Sequence, residues 1–334
     1  MSTDSGRLWS IVLAGGEGER TRAYVEEWLG YHKPKQYCVF VGTRSLFQHT
    51  VDRADALSSP ERRVVVAARE HRGHLLEQLA GRGEGRVILQ PKNRGTAPGV
   101  FLALTYVRVR DPNATVVIYP SDHFVYPESA FLNVVRNAVR NAQRHPDGPV
   151  LLGVRPSTLE LDYGWIVPSP GEPNGPTRRV EAFLEKPSQR LAEQALRKGA
   201  LWNTLIVASK VDALWALGWR CLPEIMPAFV RLWEALRAGC DDAVLEDIYR
   251  TLPARDFSSD LLQRASDRLR VLEMNGVWWS DWGRPERILE TLRALERPAA
   301  FPEALVLELK EIDSLSSAPI EKSERPLSGA SYRI

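Results

Sequence analysis

The sequence predicts an α/β protein whose largely parallel sheet is covered by helices on both faces. Two features point there. Short apolar, β-branched runs alternate with longer amphipathic stretches through the first half of the chain. Turn residues bound the runs and helical patterns separate them, so successive runs form βαβ units with right-handed crossovers. The length of 334 residues accommodates one large domain of this kind with an appendage.

Strands are expected at 8–14, 63–67, 86–89, 115–119 and 149–154, with helices at 46–57, 70–79, 97–109 and 128–143 between them. The second half is less regular. It offers strands at 179–185, 203–208 and 270–274, and helices at 189–198, 211–217, 224–237 and near 285–295. The Pro- and Gly-rich segment PSPGEPNGPT, 168–177, is expected to be a loop or hairpin end. Residues 1–296 form the expected domain. Residues 297–334 form a tail or small arm, whose last part, 314–334, has few large apolar residues.

A formal net charge of +2, with scattered basic residues, argues against a dedicated nucleic-acid binder. The three cysteines, Cys38, Cys221 and Cys240, are far apart and form no CxxC pair. That spacing argues against a disulfide framework or zinc site and fits a reducing compartment. No apolar leader precedes the first strand, and no run is long enough to span a bilayer, so a cytoplasmic protein without membrane contact is expected.

The sharpest feature is LAGGEGER, Leu13 to Arg20, directly after the first strand. Gly15, Gly16 and Gly18 permit a tight turn that brings backbone N–H groups to an anion. The loop has neither dinucleotide-fingerprint spacing nor a following GK[ST]. Arg20, at its end, can grip phosphate oxygens bidentately. HKPKQY follows, with Pro34 fixing the backbone between Lys33 and Lys35, two cations that would offset a triphosphate. Asp122 ends an apolar strand, and Asp281 lies among Ser280, Trp279 and Trp282 after another. Two such carboxylates suit a Mg²⁺ that keeps most of its ligands as phosphate oxygens and water. Thr96 is expected to cap the helix that follows it. Trp278, Trp279 and Trp282 are expected to pack rather than stack on a sugar. His123 takes no assigned role.

LAGGEGER followed by PKQY resembles the signature of the sugar-nucleotide pyrophosphorylases, most closely the mannose-1-phosphate guanylyltransferases. QPKNRGTAP (Gln90 to Pro98), YPSDH (Tyr119 to His123), DYGWI (Asp162 to Ile166), FLEKP (Phe183 to Pro187), WNT (Trp202 to Thr204) and WSDWG (Trp279 to Gly283) match in the same order, over roughly the first 290 residues. The resemblance implies a Rossmann-like, mostly parallel mixed sheet of the glycosyltransferase-A-like nucleotidyltransferase type. It implies transfer of a nucleotidyl group from a nucleoside triphosphate, GTP by likeness, to a sugar 1-phosphate, mannose 1-phosphate by likeness, with Mg²⁺ as cofactor. By the same resemblance, Arg20, Lys35 and Lys186 are catalytic. Leu13, Ala14, Gly15, Gly16, Gly18, Arg94 and Thr96 bind nucleotide. Gly164, Glu185 and Asn203 bind the sugar, and Asp122 and Asp281 hold the metal. Related enzymes are often dimers or larger, so a homo-oligomer is expected.

The pattern breaks in three places. TRAYVEEWLGYH replaces the usual apolar-x-Pro-Leu-Thr/Ser stretch after Arg20. The expected Gly and Asn around Arg94 are exchanged, as Asn93 and Gly95. The Gly expected after Asn203-Thr204 is Leu205. Two alternatives stay open: a cytidylyltransferase acting on a sugar-alcohol phosphate, and a catalytically degenerate nucleotide-binding regulatory subunit.

Overall fold

The computed structural model describes residues 7–171 and 175–306. Its strands are β1 (Leu8–Ala14), β2 (Arg63–Ala68), β3 (Arg86–Gln90), β4 (Thr115–Pro120), β5 (Phe124–Tyr126), β6 (Val150–Val154), β7 (Gly164–Pro168), β8 (Thr177–Glu185), β9 (Leu201–Lys210), β10 (Arg270–Glu273) and β11 (Trp278–Ser280). The helices are α1 (Glu19–Leu29), α2 (Leu46–Asp55), α3 (Arg72–Leu79), α4 (Thr96–Arg110), α5 (Glu128–Arg144), α6 (Gln189–Arg197), α7 (Val211–Cys221), α8 (Met226–Ala238), α9 (Asp241–Thr251) and α10 (Pro285–Ala294).

Nine strands form one sheet in the order β3-β2-β1-β4-β9-β6-β10-β8-β7. The first four are mutually parallel, as βαβ connections require. Beyond β4 the sheet is mixed. β9 runs antiparallel to both β4 and β6, β10 pairs parallel with β6, and β7 and β8 form an antiparallel hairpin. The strong parallel pattern therefore holds for the N-terminal half only. The described part of the Pro/Gly-rich segment joins β7 to β8, as a hairpin end should.

Alternate residues of the central strands feed two cores. Ile11, Val64, Val66, Val116 and Ile118 pack beneath α4, α7 and α8. Val12, Val65, Val117 and Tyr119 pack beneath α2 and α5. Helix α4 is buried over most of its circumference, which explains its apolar sequence on every face. Helix α2 begins with a reciprocal capping box between Ser45 and Gln48.

The divergent stretch after Arg20 is not a loop. It forms α1, closed by Gly30 in the left-handed region. Tyr24, Val25, Phe40, Trp282, Ile288 and Phe301 build a third, smaller core around it. Residues 297–306, expected with the C-terminal arm, take part. Ala299 bridges Val41, and the Ala300 N–H donates to the Phe40 carbonyl. The expectation for 314–334 falls outside the described residues. The cysteines are unpaired. Among the described residues, no helix is long and apolar enough to cross a membrane.

Candidate active site

The glycine loop leaves the carboxyl end of β1 and enters α1. Its shape is fixed from behind by HKPKQY. Gln36 Nε2 donates to the carbonyls of Ala14 (3.1 Å) and Gly16 (2.7 Å), and the Tyr37 hydroxyl donates to Ala14 (3.2 Å). Gly18 has φ 67°, and a Cβ there would lie 3.1 Å from the Lys35 backbone. Only glycine both adopts that conformation and lets Lys35 come so close. Gln36 and Tyr37 were missed as functional residues by the sequence, since their side chains act on the loop rather than on a ligand.

The loop opens into a cavity of about 380 Å³ lined by Leu13, Gly15, Gly16, Gln90, Gly95, Thr96, Asp122, Leu205 and Asp256 among others. A smaller hollow of about 210 Å³ adjoins it, sharing Asp122 and lined by Gly18, Arg20, Lys35 and Gly283. Two expected catalytic cations and an expected metal ligand thus meet around one space.

Lys35 is buried, and its ammonium sits between the two aspartates. It pairs with Asp122 Oδ2 at 2.8 Å and donates to the backbone carbonyl of Asp281. Asp122 follows β4, and Asp281 follows β11, which pairs antiparallel with β5 just beyond Asp122. That small ribbon brings two carboxylates together that lie far apart in sequence. Asp281 Oδ1 is saturated: it accepts from the Tyr163 hydroxyl (2.6 Å), Arg287 (2.6 Å) and the Gly283 N–H (2.9 Å). Its Oδ2 receives Arg20 at 3.1 Å. Burial pushes the Asp281 carboxyl up, but Lys35, the Tyr163 hydroxyl and Arg287 overcome it and hold the group well below the usual carboxylate range. Asp122 is held down in the same sense: burial raises it, and Lys35 and His123 prevail.

Tyr163, Arg287 and Glu160 also went unrecognised. Arg287 ion-pairs with Glu160 and lies over the Tyr163 ring at 5.0 Å. The signal available was weak, a charged residue in the first turn of a Pro-initiated helix. His123 accepts from the Trp279 indole through Nδ1 (3.3 Å), and its Nε2 faces Asp122 at 3.5 Å. It flanks Asp122 and also lines the larger cavity.

The expected sugar residues form a separate corner. A Cβ on Gly164 would lie 2.7 Å from Glu185 Oε2 and 3.2 Å from the Asn203 Cβ, so both side chains close on the glycine. Burial and the nearby Asp256 carboxylate push Glu185 up to about 7, against the opposing Lys186. Lys186 is exposed with φ 44°, and its charge acts on the neighbouring Glu185.

Of two further expected nucleotide residues, Arg94 turns away from the cavity, whereas Thr96 lines it. The Arg94 guanidinium donates to the backbone carbonyls of Tyr249 and Arg250 at 3.0–3.2 Å, so it braces α9. Thr96 is not a cap. Gly95, at φ 83°, precedes the helix, and a Cβ there would lie 2.3 Å from the Arg255 carbonyl oxygen. The Thr96 hydroxyl instead donates to Asp256 (2.8 Å) and accepts from the Phe257 N–H (2.7 Å). Among the tryptophans, Trp282 is fully buried and stacks on Phe124 at 4.5 Å, and Trp279 packs on His123 and Tyr163. Trp278 departs from the packing expectation: it is 50% exposed, because the strand alternation of β11 turns it outward.

A glycine loop at the end of a parallel strand, with a carboxylate pair ringed by cations beside it, makes an α/β site suited to an anionic ligand. The chain belongs to the nucleotidyl transferase family, whose model matches residues 9–297. It is 28% identical over 284 residues to the xanthan biosynthesis protein XanB of Xanthomonas campestris, covering 84% of this chain and 58% of that protein. It is 26% identical over 290 residues to a mannose-1-phosphate guanylyltransferase of Escherichia coli, covering 84% and 60%. A solved structure described as mannose-1-phosphate geranyltransferase, from Thermus thermophilus, superposes with a TM-score of 0.71 at 27% identity, covering 85% of this chain and 79% of that one. The chain spans about three fifths of the length of the curated relatives it matches.

Proposed function

We propose that this chain transfers a nucleotidyl group from a nucleoside triphosphate to a sugar 1-phosphate and releases pyrophosphate. GTP and mannose 1-phosphate are the favoured pair, on the strength of the relatives named above. The observation that carries the proposal is the meeting of Asp122, Asp281, Lys35 and Arg20 at the hollow that adjoins the glycine-loop cavity. A triphosphate in that cavity would lie against this charged centre.

The donor set fits Mg²⁺. Two carboxylates, both held ionised by their neighbours, would supply hard oxygen ligands, Asp281 through the Oδ2 that Arg20 faces, and would leave the remaining positions to phosphate and water. When bound, the ion would supply charge neutralisation and polarisation at the α-phosphoryl group.

The attacking oxygen of a sugar 1-phosphate is already anionic, so no strong general base is required. The bond from that oxygen to the α-phosphorus forms as the bond to the pyrophosphate oxygen breaks. The protein's work is positioning and electrostatics. Lys186, next to Glu185 in the FLEKP turn, would receive the sugar phosphate. Glu185 and Asn203 accept and donate to sugar hydroxyls. Arg20 and Lys35 line the hollow that would take the leaving pyrophosphate.

The test is pyrophosphate release by the purified protein with Mg²⁺, across several nucleoside triphosphates and sugar 1-phosphates, sugar-alcohol phosphates included. Release with GTP and mannose 1-phosphate supports the full proposal. Release only with CTP and a sugar-alcohol phosphate reassigns the pocket to the cytidylyl alternative. Silence throughout, with triphosphate binding intact, makes the chain a nucleotide-binding regulatory subunit.

A further inference from the structure

Four non-glycine residues among those described have positive φ: Lys186, Leu205, Trp282 and Glu296. Three of them stand at the candidate site, as backbone strain often does. Lys186 sits in the FLEKP turn and Trp282 follows Asp281, so both have a role already. Leu205 has none. At φ 56° it occupies the left-handed region, which a leucine rarely adopts.

The local structure explains how that conformation is held. Between Asn203 and Val207, β9 slips register against β6, so several residues of β9 face one of its partner. Such a bulge re-aims a side chain. The Asn203 carboxamide oxygen accepts the Leu205 N–H at 3.2 Å, and Thr204 anchors the bulge by donating to the Leu152 carbonyl at 2.7 Å. The result is a half-buried isobutyl group on the wall of the substrate cavity, in the company of Gly15, Asp122 and Asp256. A leucine aimed outward would need no bulge. A glycine would hold the same backbone without strain and leave the cavity larger.

We propose that Leu205 is a specificity-determining residue, an apolar wall that limits the bulk of the sugar 1-phosphate. This rests on the transfer reaction proposed for the site. Leu205 stands where the glycine-loop cavity meets the sugar corner: it lines that cavity beside Asp256, whose charge acts on Glu185, and its N–H is tied to Asn203. The wall admits a hexose 1-phosphate bearing plain hydroxyls and excludes one bearing an acetamido group, which is about as large as the leucine side chain. It offers no hydrogen bond to replace the ones such a group loses on leaving water.

The experiment compares the full chain with Leu205→Ala and Leu205→Gly. Each is tested with one fixed nucleoside triphosphate against plain hexose 1-phosphates and their N-acetylated counterparts. The readouts are kcat/KM for pyrophosphate release and, separately, calorimetric affinity for the sugar phosphates. The N-acetyl-to-plain ratio is expected to rise at least about tenfold in both variants. The alanine variant keeps the strained backbone and the glycine variant relieves it, so a common shift reports lost bulk and not altered backbone. An unchanged ratio in folded variants overturns the proposal, as does a shift confined to the choice of triphosphate. If the wild type turns over no pair at all, the transfer reaction fails. The calorimetric ratio then still decides whether Leu205 screens sugar phosphates.

Discussion

At the residue scale, Asp281 and Glu185 are two carboxylates driven in opposite directions. Asp281→Asn keeps the size of the side chain and removes its charge. Pyrophosphate release is expected to fall by about 100-fold or more, the scale of losing a charge-positioning group, while circular dichroism shows a folded protein. Wild-type turnover in that variant would remove Asp281 from the metal site. Glu185 gives a stability test. Its folded-state value is raised to about 7 from the ordinary 4.5. The folded protein therefore holds that proton more tightly than the unfolded chain. Stability is lost as pH rises from about 4.5 to 7 and stays lower beyond. Glu185→Gln cannot ionise, so its melting temperature relative to wild type should climb between pH 5 and pH 8. A difference that stays flat over that range would mean that the carboxyl is not perturbed. The sequence made Asp122, Asp281, Lys35 and Arg20 legible because each sits in a short ordered motif. It concealed Tyr163 and Arg287, because saturation of Asp281 Oδ1 depends on which loops meet, and spacing along the chain does not encode that. It also made Arg94 look like a ligand residue, since an arginine in a Gly-rich turn reads the same whether it faces phosphate or a neighbouring helix.

At the scale of elements, the N-terminal strands and helices follow from periodicity almost residue by residue. Expected strands at 63–67 and 115–119 are observed as β2 and β4 with one residue added to each. The elements that escaped are β5, β7, β11, α1 and α9, of which the strands are short. β5 and β11 have three residues each and exist because they pair with one another. Helix α1 hid in a stretch where the familiar pattern breaks, with Trp28 packing across its end on Phe40 and Phe301. The start of α4 provides the sharpest test at this scale. Gly95 has a positive φ and no room for a Cβ against Arg255. Gly95→Ala must displace backbone at the junction that also carries Thr96, Asp256 and Phe257. A loss of about 2 kcal/mol or more is expected in urea unfolding, together with weaker triphosphate binding. Gly16→Ala is the matched control, because nothing lies within 4 Å of a Cβ there. It should leave stability within about 0.5 kcal/mol of wild type. Equal stability of the two variants would show that the Arg255 contact is not rigid.

For the whole molecule, the question is how the third core bears on the site. The two larger cores sandwich the main sheet and carry its stability. The smaller one joins α1, α10 and residues near 300, and it encloses Trp282, the neighbour of Asp281. Phe301 touches Tyr24, Trp28 and Phe40, and Phe40 in turn meets Trp282 edge-on at 5.7 Å. The chain near its end is thus linked by aromatic packing to the loop that presents a proposed metal ligand. Stopping the chain after Arg297 removes Phe301 and Val306 from that core and keeps the Arg297–Tyr126 contact. The main sheet should still form, so far-UV circular dichroism is expected to change little. Melting should begin roughly 5 °C earlier, and kcat should fall by about tenfold through a looser Asp281, with less effect on triphosphate affinity. Phe301→Ala separates packing from anything else residues 298–334 contribute. If it reproduces the loss in kcat, the aromatic chain from Phe301 to Trp282 holds the site in place. If the truncated chain loses activity and Phe301→Ala keeps it, the residues after 301 act on the site by another route, and the third core is a support for α1 alone.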